Sequence, residues 1–174
     1  MSFILANDEI RKLLKAMPPL VEGMLDIDEQ TQPNGIDLTL KEVASFSSAG
    51  SIGCGNETRI VSGNSPLVFD TLSKAKGLDL SPGCYLVTYN EIVHLPNDVM
   101  ALALPRSSLL RCGVSIHTAV WDAGYSGRSQ SLMMVYNPNG FRLYQNARII
   151  QLVFFQLSHK VDQGYKGIFQ GENI

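Results

Sequence analysis

Pro105-Arg106-Ser107-Ser108-Leu109-Leu110-Arg111-Cys112-Gly113 leads into an apolar run to Trp121 and then into Asp122-Ala123-Gly124-Tyr125-Ser126-Gly127. Pro105 closes a strand-like segment from Val99 to Leu104. Ser107 to Arg111 predicts one or two turns of helix with hydroxyls at its start, where backbone N–H groups welcome an anion. Val114 to Val120 predicts a return to strand, and the Gly-rich segment after Trp121 predicts a turn. The first half carries two hydroxyls and two guanidinium groups, a donor set for an anion. The second half carries one carboxylate, an acceptor for a proton. The pairing points to a site that binds a phosphorylated molecule and does chemistry on it.

Outward from this stretch, short strands and turns dominate. Thr31-Gln32-Pro33-Asn34-Gly35 is a turn, and Ile36, Leu38 and Leu40 then alternate with Asp37, Thr39 and Lys41. That alternation puts Asp37 on the face opposite the apolar residues. Residues 46–58 read as a loop or a poor hairpin. Ile60-Val61 and Leu67-Val68-Phe69 are strand candidates on either side of Ser62 to Pro66. Tyr85 to Tyr89 has the composition of a strand. Asn137-Pro138-Asn139-Gly140 predicts a hairpin between Leu132–Tyr136 and Phe141–Tyr144. Ile149 to Leu157 is the most apolar strand and is expected at the centre. Clear helical period is confined to the N-terminal segment, 1–19, where Asn7 or Asp8 can cap and Ile10, Leu13, Leu14 and Met17 share a face. Pro18-Pro19 stops that helix. Residues 160–174 form a Gly-rich tail with two aromatics, expected to be flexible. The expected fold is one domain over 1–174, all-β, a distorted jelly roll or barrel with a short N-terminal helix.

Composition narrows the function. The chain is 45% hydrophobic and 17% charged, which suits a folded globular protein. Its net charge is −2 with no basic cluster, against a general nucleic-acid partner. Three widely spaced cysteines, at 54, 84 and 112, indicate neither a zinc site nor a disulfide framework, and fit reduced thiols in the cytoplasm. No signal peptide and no run of membrane-spanning length is read.

In order along the chain, Gly35-Ile36-Asp37-Leu38, Pro105-Arg106-Ser107-Ser108-Leu109, Val120 to Gly127, Arg148-Ile149-Ile150-Gln151-Leu152 and Gly164 to Gly171 resemble the five motifs of the deoxyuridine triphosphatase (dUTPase) and deoxycytidine triphosphate (dCTP) deaminase superfamily. The N-terminal helix is similar to the archaeal-type or deaminase-like branch. The resemblance implies a homotrimer with sites between subunits, a tail that swings over the site, and magnesium as cofactor. It implies attack of water on the α-phosphorus of deoxyuridine triphosphate (dUTP), giving the monophosphate (dUMP) and pyrophosphate.

Hydrolysis of a nucleoside triphosphate needs an in-line water, charge neutralisation on the phosphates and a group that takes the water's proton. Asp122 is the base candidate; an Asp in a Gly-rich turn by itself usually bonds backbone, and the surrounding motifs favour the base role. Arg106 neutralises phosphate charge or holds the catalytic carboxylate. Ser107 and Ser108 donate to phosphate oxygens or simply cap the helix, and Arg111 can share their face. Gln151 is either a satisfied core amide or a phosphate contact. Asp37 is either a surface strand carboxylate or, through water, a holder of magnesium. By resemblance Tyr125 packs on the deoxyribose, Phe169 stacks on the base beside Gln170, and Lys166 is the tail's one charge for the terminal phosphate. Ala119 stands where triphosphatases usually have Gly and lines the base hairpin.

The deaminases carry a Glu on the strand after the third motif. Here Leu132 or Met134 takes that position, and no Asp or Glu occurs between Ala123 and Val161. Hydrolysis of dUTP without deamination is therefore expected. A dCTP deaminase, a bifunctional enzyme, a broader nucleotide pyrophosphatase and a non-catalytic nucleotide-binding relative are the alternatives.

Overall fold

The computed structural model describes residues 3–70 and 76–174. In chain order the elements are β1 (Phe3–Ile4), α1 (Asn7–Leu13), β2 (Val21–Glu22), α2 (Ile27–Gln30), β3 (Thr31–Gln32), β4 (Gly35–Phe46), β5 (Asn64–Pro66), β6 (Gly77–Leu80) and β7 (Gly83–Tyr89). There follow β8 (Ile92–His94), β9 (Val99–Pro105), α3 (Ser107–Arg111), β10 (Val114–His117), β11 (Ser126–Gly127), β12 (Gln130–Val135), β13 (Phe141–Tyr144) and β14 (Arg148–Gln156). The fold is all-β and jelly-roll-like, as the strand pattern requires.

The main sheet runs β1-β14-β4-β7-β12-β10, with β9 also on β14 and β3 and β5 on β4. Ile149, Ile150, Leu152 and Phe154 of β14 are wholly buried, which is why this strand is central. A register shift lies between Arg148 and Ile150 opposite β4. Such an irregularity lets adjacent Ile149 and Ile150 both enter the core. Leu109 anchors α3 in the core while Ser107, Ser108 and Arg111 stay at the surface.

Several local expectations change. Strand β4 is buried on both faces, so Asp37 and Thr39 are as inaccessible as Ile36 and Leu38. Two-residue alternation marks polarity, and burial here follows from neighbours on both sides of the strand. The Asn137–Gly140 turn exists, with Gly140 at φ 78° and the Asn139 N–H bonded to the Asn137 side chain. It does not join a hairpin: β12 pairs with β7 and β10, and β13 pairs with β6. Strand β5 occupies Asn64–Pro66, inside the segment read as a break. Helix α1 is capped at Ala6, whose N–H is taken by Glu9 at 2.8 Å, and Asn7 and Asp8 lie within it. Ile10 is its buried anchor and Met17 is in solvent. Helix α2 was not expected; Asp26 caps it by accepting from the Asp28 and Glu29 N–H groups.

Candidate active site

Two groups of candidate site residues stand apart on the chain. The first gathers where β4, β14 and the start of α3 meet. Gln151 lies opposite Asp37 on β4 and opposite Leu104 on β9. The Arg106 N–H bonds the Ile149 carbonyl, which fixes the entry to α3. Arg106 Nε lies 3.3 Å and Arg148 Nη1 3.6 Å from Asp37 Oδ2. Burial pushes the Asp37 carboxyl above the ordinary range, and the two guanidinium groups pull against that shift. Ser107, Ser108 and Arg111 are exposed beside this cluster. Gly35 permits the tight β3–β4 turn at Gln151, because a Cβ there would lie 2.5 Å from the Leu152 carbonyl and 3.2 Å from the Gln151 side chain.

A buried polar network holds this group from behind. Glu91 is wholly buried, accepting from Gln30 Nε2 at 2.7 Å, Thr39 Oγ1 at 2.6 Å and Thr39 N at 2.9 Å. Gln30 Nε2 also donates to the Asp37 carbonyl at 2.9 Å, while its oxygen caps the Leu25 and Asp26 N–H groups. Burial raises the Glu91 carboxyl despite these donors. Asn90 adds bonds to Thr39 Oγ1 and the Leu40 carbonyl.

The second group surrounds a cavity of about 520 Å³. Ala119, Trp121, Asp122, Tyr125, Gln130 and Phe169 are among its walls. Asp122 is solvent-exposed, so water reaches its carboxylate. Trp121 is buried and donates Nε1–H to Ser129 at 3.0 Å. Tyr125 is buried, with Tyr165 edge-on at 5.7 Å between ring centres. None of Asp37, Arg106, Ser107, Ser108, Arg111 and Gln151 lines this cavity.

The tail lies along its own chain's 123–128 turn. Tyr165 N–H bonds the Ala123 carbonyl and Gly171 N–H the Ser126 carbonyl, each at 2.8 Å. Gln170 spans the turn, donating to the Gly124 carbonyl and accepting from the Ser126 N–H, each at 3.0 Å. Gly124 (φ 81°) and Gly164 are back to back; a Cβ on Gly164 would come within 2.8 Å of Gly124 Cα. Lys166 is outside the cavity and donates to Gln163. Phe169 enters the cavity wall while Gln170 is spent on the turn.

Sequence reasoning assigned no role to Glu91, Arg148 or Glu172. A lone carboxylate between apolar Tyr85–Tyr89 and Ile92-Val93 was the available signal for Glu91. Arg148 opens the motif that runs from Arg148 to Leu152. Glu172 gave no signal, since only the tail's docking brings it to the cavity. Among the described residues no cluster of three or more His, Cys, Asp or Glu could hold a metal. Asp37 in particular faces two guanidinium groups, a surrounding that does not fit a cation.

The dCTP deaminase-like family model matches residues 4–157. A probable deoxyuridine 5'-triphosphate nucleotidohydrolase of Methanosarcina mazei is 49% identical over 170 residues, covering 98% of each chain. The deoxyuridine 5'-triphosphate nucleotidohydrolase of Methanocaldococcus jannaschii is 38% identical over 144 residues, 83% of this chain and 89% of that one. Among solved structures, the 2'-deoxycytidine 5'-triphosphate deaminase from Agrobacterium tumefaciens superposes with a TM-score of 0.65 at 27% identity, covering 89% of this chain and 48% of that longer one. The motifs and these matches agree: the chain belongs to the dCTP deaminase-like family.

Proposed function

We propose that this protein is a dUTP diphosphatase, hydrolysing dUTP to dUMP and pyrophosphate. Relatives named as dUTP nucleotidohydrolases, among them one that matches over 98% of each chain, support the substrate. The observation that carries the chemistry is the exposed Asp122 carboxylate at a cavity walled by Tyr125 and Phe169. Asp122 orients a water and takes its proton as the water attacks the α-phosphorus. Tyr125 packs on the deoxyribose, Phe169 covers the base, and Ala119 bounds the base pocket. Arg106, Ser107, Ser108, Arg111 and Gln151 bind the phosphate chain, and Arg148 with Asp37 holds Arg106 in place. Lys166 reaches the terminal phosphate only after leaving Gln163. Positioning and charge neutralisation supply most of the rate in such a reaction.

The two groups are separated on one chain, so the complete site forms between subunits. We assign a homotrimer, in which Asp122 of one subunit meets the phosphate-binding group of the next. Exposed Leu102, Leu104, Leu110 and Val120, adjoining both groups, supply an apolar surface for that contact. Magnesium enters with the triphosphate and not through Asp37. The three exposed, unpaired cysteines suit a cytoplasmic protein. No helix among the described residues is long and apolar enough to cross a membrane.

Deamination of dCTP is the second reading, favoured by one observation: Glu172 brings a second carboxyl to the cavity. That carboxyl is already engaged by Tyr125. Leu132 and Met134, at the positions of the deaminase Glu, offer no acid. Turnover in heavy-oxygen water tests the hydrolytic reading. The label is expected in dUMP; label in pyrophosphate would place the attack on another phosphorus.

A further inference from the structure

We infer that Glu172 is a positioning residue for substrate selection: it ties the docked tail to Tyr125 of the same chain and fixes the wall on which the sugar packs. The Tyr125 hydroxyl donates to Glu172 Oε1 at 2.8 Å, and both residues line the cavity that holds Asp122. The backbone that carries the carboxylate is pinned. Arg128 N–H bonds the Glu172 carbonyl at 2.9 Å, Arg128 Nε bonds the Asn173 carbonyl at 3.1 Å, and Asn173 Nδ2 returns a bond to the Arg128 carbonyl at 2.9 Å. Room for the pair is built into the turn. A Cβ on Gly127 would sit 2.6 Å from the Tyr125 hydroxyl and 3.2 Å from Glu172 Cγ. Burial pushes the Glu172 carboxyl upward, as expected where a carboxylate is held away from water.

With Tyr165 against its edge and Glu172 on its hydroxyl, the Tyr125 ring is held by the tail from two directions. A tail that lifts therefore releases the ring as well as Phe169. Docking of the tail is in this way coupled to the tightness of fit around the 2'-carbon. This inference rests on the reading of Tyr125 as the sugar wall.

The test compares kcat/KM for dUTP and for its ribonucleotide counterpart in Glu172→Ala, Glu172→Gln, Tyr125→Phe and the double variant Tyr125→Phe/Glu172→Ala. Glu172→Ala is expected to narrow the preference for the deoxy substrate roughly tenfold, the scale of one hydrogen bond to a charged acceptor, mostly through KM for dUTP. Glu172→Gln, whose carbonyl still accepts from the phenol, is expected to keep most of the preference. The double variant is expected to be no worse than the more damaging single one. Equal losses on both substrates, failure of Gln to rescue, or multiplicative effects in the double variant would each overturn the inference.

Hydrogen exchange separates this inference from the proposed activity. In Glu172→Ala the Arg128 and Gly171 amides are expected to exchange faster than in the parent, whatever the chain hydrolyses. Unchanged exchange would overturn the inference even if dUTP is the substrate. Absence of dUTP turnover in the parent would instead defeat the proposed function.

Discussion

Glu91→Gln isolates the network behind the proposed phosphate-binding group. The carboxylate receives three donors: Gln30 Nε2 and Thr39 Oγ1 on one oxygen, Thr39 N on the other. An amide of the same shape keeps one oxygen and turns an NH₂ toward a donor. If the oxygen stays with Gln30 and the Thr39 hydroxyl, the Thr39 backbone N–H is stranded in the core. Stranding a buried donor costs roughly 1–3 kcal/mol, and the two surviving bonds weaken because their acceptor is no longer charged. Relief of the buried charge opposes this, since burial disfavours the ionised carboxyl. The expected balance is a loss of about 2 kcal/mol, or roughly 4–8 °C in Tm for a chain of this size. Calorimetric unfolding at neutral pH measures it, and kcat/KM for dUTP should fall because Gln30 also bonds the Asp37 carbonyl. An unchanged or raised Tm would show that desolvation outweighs the donors and would refute the reasoning.

Other perturbations address the tail and the buried phenols. Gly164→Ala should lift the tail from Gly124, leaving Tm nearly unchanged but lowering dUTP hydrolysis on the order of a hundredfold, the usual effect of a displaced site group; a fully active variant would contradict the docking role. Truncation after Leu157 should leave a folded chain that has lost most hydrolysis, read by circular dichroism and product assay; full activity would remove Phe169 from the site. Burial raises the phenols of both Tyr89 and Tyr125 above their ordinary value of 10.0. Because the folded state prefers their neutral form, their contribution is intact below pH 10.0 and is lost as pH rises beyond it. Ultraviolet titration should find two of the six tyrosines ionising only with unfolding; six normal titrations would count against it.

The strand at 148–156 was legible because an apolar run broken only by Gln151 has few other places to go. The 122–127 turn was legible because Gly at 124 is demanded by a positive φ. Asp37 was misplaced for a specific reason: alternation records which side chains are polar, and only the sheet's neighbours decide which are covered. The β12–β13 hairpin failed similarly. Its turn signal was real, yet β7 and β6 offered better partners than the two flanking strands offered each other. The separation of Asp122 from Arg106 was invisible in the motif order, because order along the chain does not say how far apart two motifs fold. Glu172 was invisible for want of any local pattern. It comes to Tyr125 through backbone bonds at Ser126 and Arg128, contacts that no periodicity encodes.

The central claim is that Asp122 drives hydrolysis of dUTP in a chain that does not deaminate. A product assay with magnesium, on dUTP and dCTP in parallel, with Asp122→Asn beside the parent, tests it most directly. The account predicts dUMP and pyrophosphate from dUTP alone, with the activity lost in Asp122→Asn. Ammonia released from dCTP, or an Asp122→Asn chain as active as the parent, would contradict it.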